Sequence, residues 1–188
     1  MTHEESRTLV LFRHAKSAWP EDVPDHERPL APRGQRDAPV MGAWLRDASL
    51  VPGQVLCSTA RRARETWQLA EGGLGAAPPV SFERGVYESA AAGLLTLIRE
   101  TPAAVRTLLV VGHNPTIEDL ALMLAAASAG GASSAPDAAA TGALDRMRVK
   151  FPTAAIAVLE FAGNWADLAA GQARLTAFVT PRDLAGAI

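Results

Sequence analysis

Short apolar runs alternate along this chain with longer stretches in which apolar residues recur at helical spacing, the rhythm of an α/β layer fold rather than a bundle or sandwich. Strands are expected over 8–12 (TLVLF), 54–57 (QVLC), 80–82, 107–111 (TLLVV), 154–161 (AAIAVLEF) and 175–179. Most of these runs lack the polar alternation of a half-exposed sheet. Near-continuous apolar strands are buried on both faces, which predicts helices on both sides of a mostly parallel sheet. Helical periodicity places those helices over 33–47, 60–70, 90–100 and 115–127, each between two strands. The fold class is therefore α/β, a three-layer α/β/α sandwich.

Two segments break the rhythm. SAWPEDVPDHERPLAPRG, from Ser17 to Gly34, carries prolines and charges that build no regular element, so a long loop follows the first strand. Long ordered loops in compact domains are often functional. SAGGASSAPDAAATGALD, from Ser128 to Asp145, is too poor in bulky apolar residues for a core and reads as a flexible surface insertion. The whole chain of 188 residues, 48% hydrophobic, suffices for one domain with a proper core, and a second full domain is not expected.

The formal net charge is −2, and no Lys/Arg cluster reaches the density of a nucleic-acid groove or an anionic-membrane surface. Nucleic acid is thus not an expected partner. The single cysteine, Cys57, has no internal disulfide partner, the N-terminus MTHEESRT carries no signal-like apolar stretch, and no apolar run approaches the roughly eighteen residues of a membrane span. A cytoplasmic protein is the expectation.

Ligands of open α/β sheets bind beyond the carboxyl ends of the strands. After the first strand comes Arg13-His14; after the second, Ser58-Thr59-Ala60-Arg61-Arg62; after the fourth, Gly112-His113-Asn114-Pro115. Singly, each is an ordinary polar strand end. Together, three separate segments deliver cationic or imidazole groups to one edge of an otherwise acidic chain. Arginine's fixed fork matches phosphate oxygens, and a neutral, oriented imidazole can attack phosphorus to give a covalent phosphohistidine that water removes. The expected guest is a phosphoryl group, with no cofactor and no metal.

RHAKSAW after an apolar strand, STARRARETW after another, VYE mid-chain and VVGHNP late together resemble the histidine phosphatase superfamily, also called phosphoglycerate mutase-like. RHAKS followed by RPL and RG in a short chain is similar to its SixA-type phosphohistidine phosphatases. The motifs run from Arg7 to Leu124. The resemblance implies that His14 is the nucleophile, Arg13 and Arg62 phosphate clamps, and His113 a second catalytic imidazole; it prefers Arg62 to Arg61. It also implies Glu88 as proton donor for ordinary esters, with less dependence on it for phosphohistidine. The family's usual RHG is RHA here, and Ala15 in place of glycine implies a different local backbone path.

Around this core, Ser58, Lys16, Ser17, Arg28 and Asn114 are further candidates for binding the substrate. Asn114-Pro115 also reads as a helix start, with Asn as N-cap. His26 and His3 read as surface residues, and the four tryptophans as packing, with Trp19 closest to the site. The implied activity is hydrolysis of a phosphorylated protein, most naturally phosphohistidine. Alternatives are a broad phosphomonoesterase of small phosphoesters and a non-catalytic phosphate-recognising module. A mutase would need lid loops that the chain lacks, and a two-metal hydrolase would need clustered carboxylates in place of arginines.

Overall fold

A computed structural model describes residues 6–125 and 138–185. Its centre is a six-stranded sheet formed by β1 (Ser6–Arg13), β2 (Gln54–Ser58), β3 (Val80–Glu83), β4 (Thr107–Gly112), β5 (Ile156–Ala162) and β6 (Arg174–Val179), in the spatial order β3-β2-β4-β1-β5-β6. β3, β2, β4 and β1 are mutually parallel, β5 pairs antiparallel to β1, and β6 antiparallel to β5. One strand, β5, thus runs against the others, and the expected mostly parallel α/β sheet is what forms.

The apolar strands have no polar alternation because each face meets its own core. Leu9 and Leu11 of β1 and Leu108 and Val110 of β4 enter one apolar cluster; Val10, Phe12, Leu109 and Val111 enter the other, all fully buried. Helices α1 (Pro32–Asp47) and α2 (Arg61–Leu74) cover the second face through Met41, Leu45, Trp67 and Leu74. The first face is covered by α4 (Ala91–Arg99) and α5 (Thr116–Ala125), joined by Trp165. At roughly 25 cal/mol per Å² of apolar surface, two such cores supply the dominant favourable term of folding. α1 and α2 approach closely enough that a Cβ on Gly42 would lie 1.9 Å from the Ala70 carbonyl oxygen, so this contact requires glycine. α2 ends where Gly75 takes the left-handed conformation, φ 71°, that closes many helices.

Two short helices, α3 (Arg84–Glu88) and α7 (Pro181–Ala185), were not legible in the apolar pattern. A larger difference concerns the small-residue tract. Its first part lies outside the described residues, but from Ala138 onward it is helical: α6 spans Ala138–Val149. Small residues suggest a loop, yet alanine is the best helix former, and Met147, fully buried in the first core, pins this helix down. The four tryptophans also divide. Trp67 and Trp165 are buried, whereas Trp19 is 74% exposed under the Arg28 guanidinium, 3.1 Å from its ring centre. Among the described residues no helix is long and apolar enough to cross a membrane.

Candidate active site

Sheet register brings the strand ends together. Arg13 lies opposite Gly112, and Cys57 opposite Val111, so the residues after β1, β2 and β4 emerge at one level. The His14 backbone N–H donates to the Gly112 carbonyl at 2.9 Å, continuing the ladder one residue past the strand. The imidazoles of His14 and His113 consequently meet with ring centres 5.0 Å apart. Both elements of this pair are fixed by the parallel β1–β4 pairing.

His14 is buried, and its Nδ1 lies 2.8 Å from the Ala15 carbonyl oxygen. A carbonyl can only accept, so in the neutral ring the proton sits on Nδ1 and the lone pair on Nε2. Burial, reinforced by the charges of His113, Arg62 and Arg13 against the pull of the Ala15 hydrogen bond, pushes the His14 pKa down to about 3. His113 is likewise pushed down to about 3, by burial first and then by Arg62, with Asp25 opposing. Its Nε2 shares a 2.7 Å hydrogen bond with Ser58 Oγ, which also accepts from the Ala60 N–H. Both rings are neutral near pH 7.

Arg62 lies in the first turn of α2 on its buried face. Its two terminal nitrogens donate to the Asp25 carbonyl at 2.6 Å and to Asp25 Oδ2 at 3.1 Å. The Arg13 Nη1 donates to the Phe151 carbonyl at 2.6 Å, and Arg13 N to the Ala155 carbonyl. Arg13 Nε, Arg62 Nε and His113 Nδ1 are all buried with no hydrogen-bond partner. Buried donors without acceptors are costly, and an anion between these residues would satisfy them.

Several residues here were missed by sequence reasoning. Asp25, in a short 3-10 turn of the loop after β1, accepts from Arg28 at 2.9 Å, from Arg62, and from Tyr87 Oη at 2.9 Å. Burial alone would raise its pKa; the Arg28 and Tyr87 hydrogen bonds and the Arg62 charge hold it down at about 2. Tyr87 packs edge-on to both His113 and His26, at 5.5 and 5.0 Å. His26, expected to be an isolated surface residue, is therefore half-buried in this cluster and bonded to Thr59. Thr66, fully buried on α2, accepts from the Ala15 N–H and donates to the Arg62 carbonyl, tying the two catalytic segments together.

The other candidates are distributed unevenly. Arg28, expected as a substrate-binding candidate, is buried and donates to Ala18 O, Asp25 and Ser17 Oγ. Arg28 and Ser17 thus brace the loop. Asn114 does not cap α5: its amide nitrogen donates to Glu118 and to the Phe151 carbonyl. Lys16 is exposed, and its carbonyl accepts from Ala31 where α1 begins. A Cβ on Gly34 would lie 2.2 Å from that carbonyl oxygen, so the loop closes onto α1 only over glycine. Glu88 is not brought to the imidazoles by any contact; it is exposed and bonded to Arg84 at 2.7 Å. Ala15 is fully buried and outside the residues of positive φ, so alanine fits the backbone path without strain.

Residues 9–92 match the histidine phosphatase superfamily (branch 1). A SixA structure from Nakamurella multipartitia, a candidate phosphohistidine phosphatase, is 37% identical with a TM-score of 0.80, over 94% of this chain and 96% of that one. The chain belongs to the histidine phosphatase superfamily. A second SixA candidate, from Agrobacterium tumefaciens, is 26% identical with a TM-score of 0.72, over 93% and 98% of the two chains. The uncharacterized protein Rv1276c of Mycobacterium tuberculosis is 46% identical over 171 residues, 91% of this chain and all of the relative. As a histidine phosphatase the chain is a hydrolase acting on a phosphorylated substrate, and the fold is the phosphoglycerate mutase-like one.

Proposed function

We propose that this histidine phosphatase removes the phosphoryl group from phosphohistidine on a protein, through a covalent phosphohistidine on His14. The observation that carries the reading is the 2.8 Å contact of His14 Nδ1 with the Ala15 carbonyl, which leaves the Nε2 lone pair for attack on phosphorus. The Nε2–P bond forms as the bond to the leaving nitrogen breaks. Water then attacks the phosphoenzyme, releasing phosphate and restoring the neutral ring. Arg13, Arg62, His113 and Ser58 would neutralise the oxygens of the transferring group.

The leaving group favours a phosphoamidate. An alkoxide must be protonated as it departs, and the carboxylate in contact with this cluster, Asp25, is held ionised down to about pH 2. Glu88, the donor implied by the family resemblance, is directed to Arg84. A phosphohistidine ring protonated on its other nitrogen departs as neutral imidazole and needs less help from an acid. The one-domain organisation of the chain and an intracellular setting fit this reading. A small phosphoester remains the second substrate class, since the same cations would bind any phosphoryl dianion.

The test is a panel of phosphohistidine protein, sugar phosphates, nucleotides and p-nitrophenyl phosphate. kcat/KM is expected to favour phosphohistidine protein by at least about a hundredfold over alkyl esters, and Glu88→Gln to change each rate by less than about twofold. A preference for one sugar phosphate or nucleotide would replace the substrate assignment. A selective loss on esters in Glu88→Gln would restore that residue as proton donor.

A further inference from the structure

A groove of about 820 Å³ adjoins the catalytic cluster on the far side of Arg13, which lines it. Six cationic side chains face it, Arg13, Lys16, Arg33, Arg146, Lys150 and Arg182, against the carboxylates Asp37 and Asp145. The protein as a whole carries a net charge of −2, so this concentration of positive charge is local. Some of it is neutralised: Arg33 lies 3.8 Å from Asp37, and Arg146 2.6 Å from Asp183. Lys16, Lys150 and Arg182 have no ion-pair partner among the described residues, and all three are exposed. Three unpaired cations lining one groove repel one another, an arrangement that a polyanion relieves.

The distribution of the cations distinguishes possible occupants. They come from the end of β1 and the turn after it, from α1, from α6 and the residue that follows it, and from α7, and the three without a partner carry more positive charge than one phosphoryl dianion neutralises. One exposed apolar side chain lies among them, Val149 at the end of α6, 86% exposed, while Phe178 of β6 is buried beneath the Arg146 guanidinium at 5.7 Å. Several unpaired cations beside an exposed apolar side chain suit a polypeptide carrying several carboxylates. Arg13 stands at the boundary, and its charge acts on both imidazoles.

We propose that this groove docks an acidic segment of the phosphorylated protein, so that substrate choice depends on carboxylates beside the phosphorylated side chain as well as on the phosphoryl group. The inference deepens the protein-substrate reading above and rests on it. Docking of this kind acts through association and raises apparent affinity at low ionic strength, because exposed charges are screened by salt.

The test separates docking from chemistry by using a ligand without phosphate. Fluorescence anisotropy of a labelled decaglutamate peptide with the wild-type protein should show salt-sensitive binding that a decaglutamine peptide lacks. Lys150→Glu/Arg182→Glu, two exposed positions outside the catalytic cluster, should weaken binding at least about fivefold. The same double variant should raise KM for an acidic phosphohistidine protein at unchanged kcat and leave p-nitrophenyl phosphate turnover at the wild-type rate. Equal binding of the two peptides, or binding untouched by the double reversal, overturns the proposal. So does binding of tripolyphosphate without binding of decaglutamate, which would make the groove a small-polyanion site. Loss of p-nitrophenyl phosphate turnover in the double variant would also overturn it, by showing a general structural defect. Decaglutamate binding that holds while phosphohistidine protein is not hydrolysed would refute the substrate reading and leave the groove's affinity for acidic polypeptide standing.

Discussion

His14→Ala is expected to lower kcat on p-nitrophenyl phosphate and on phosphohistidine protein by at least about 10³-fold, because no other group can take the phosphoryl. The neighbouring imidazole cannot substitute. His113 Nε2 is engaged with Ser58, and its Nδ1 is buried. Rapid acid-free trapping with labelled substrate should show an acid-labile phosphoenzyme in the wild type and none in the variant. The His14 ring contributes to a buried contact with His113, so a thermal melt belongs beside the assay to show that the fold survives. Wild-type turnover by His14→Ala would end the covalent mechanism. Abolition of wild-type turnover by a chelator would also count against it, since the proposed chemistry uses only side chains.

Arg62→Ala should cost roughly 10²–10³-fold in kcat/KM, the scale of losing one preorganised charge-stabilising donor. Arg62→Lys should recover only part of that loss, because lysine restores the charge without the planar fork that spans two oxygens. The variants also make a sharper prediction about pH. The Arg62 charge helps hold the His113 pKa down, second only to burial. Removing that charge raises the His113 pKa, so the acid limb of the kcat/KM profile should move to higher pH in Arg62→Ala and stay near the wild-type position in Arg62→Lys. Identical acid limbs in all three proteins would mean that Arg62 does not act on His113 electrostatically. A merely structural role for Arg62 would lower activity without moving that limb.

Asp25 complicates the reading of any Arg62 variant. It receives both terminal nitrogens of Arg62 as well as Arg28 and Tyr87, so the arginine is held in a defined position. The bond to Asp25 orients the guanidinium and at the same time competes with a phosphoryl group for its donors. Such a clasp reduces the ordering cost of binding while weakening the net attraction.

How far the molecule could be read from its sequence depends on the range of the interaction. LVLF and LLVV announce buried strands because both faces of β1 and β4 meet a core, and that local fact also predicts where Arg13, His14 and His113 emerge. Arg62 follows from the same rule applied to β2. Asp25 and Tyr87 carried no such signal. They are ordinary loop and helix residues, and their bond joins positions 62 apart in the chain through geometry that no periodicity encodes. Glu88 shows the converse: a motif named the acid, but helix geometry placed Arg84 one turn earlier on the same face, and the pair formed locally. The alanine-rich residues from Ala138 to Asp145 are helical because helix propensity outweighs small size there, and the residue that anchors them, Met147, lies beyond the small-residue tract.

The antiparallel strand β5 has a consequence for when this enzyme becomes active. Arg7 through Phe12 pair with residues 156 to 161, and the backbone of Arg13 and His14 is bonded to Ala155 and Ala154. The residues that support the nucleophile are thus made some 140 positions after it. A nascent chain that has already produced His14, Arg62 and His113 still lacks one of the two neighbours of β1. Pairing across some 150 positions closes slowly compared with local contacts. Phosphoryl chemistry should therefore begin only once residues 154 to 161 have been made, so that shorter nascent chains neither capture phosphate nor compete for phosphorylated partners.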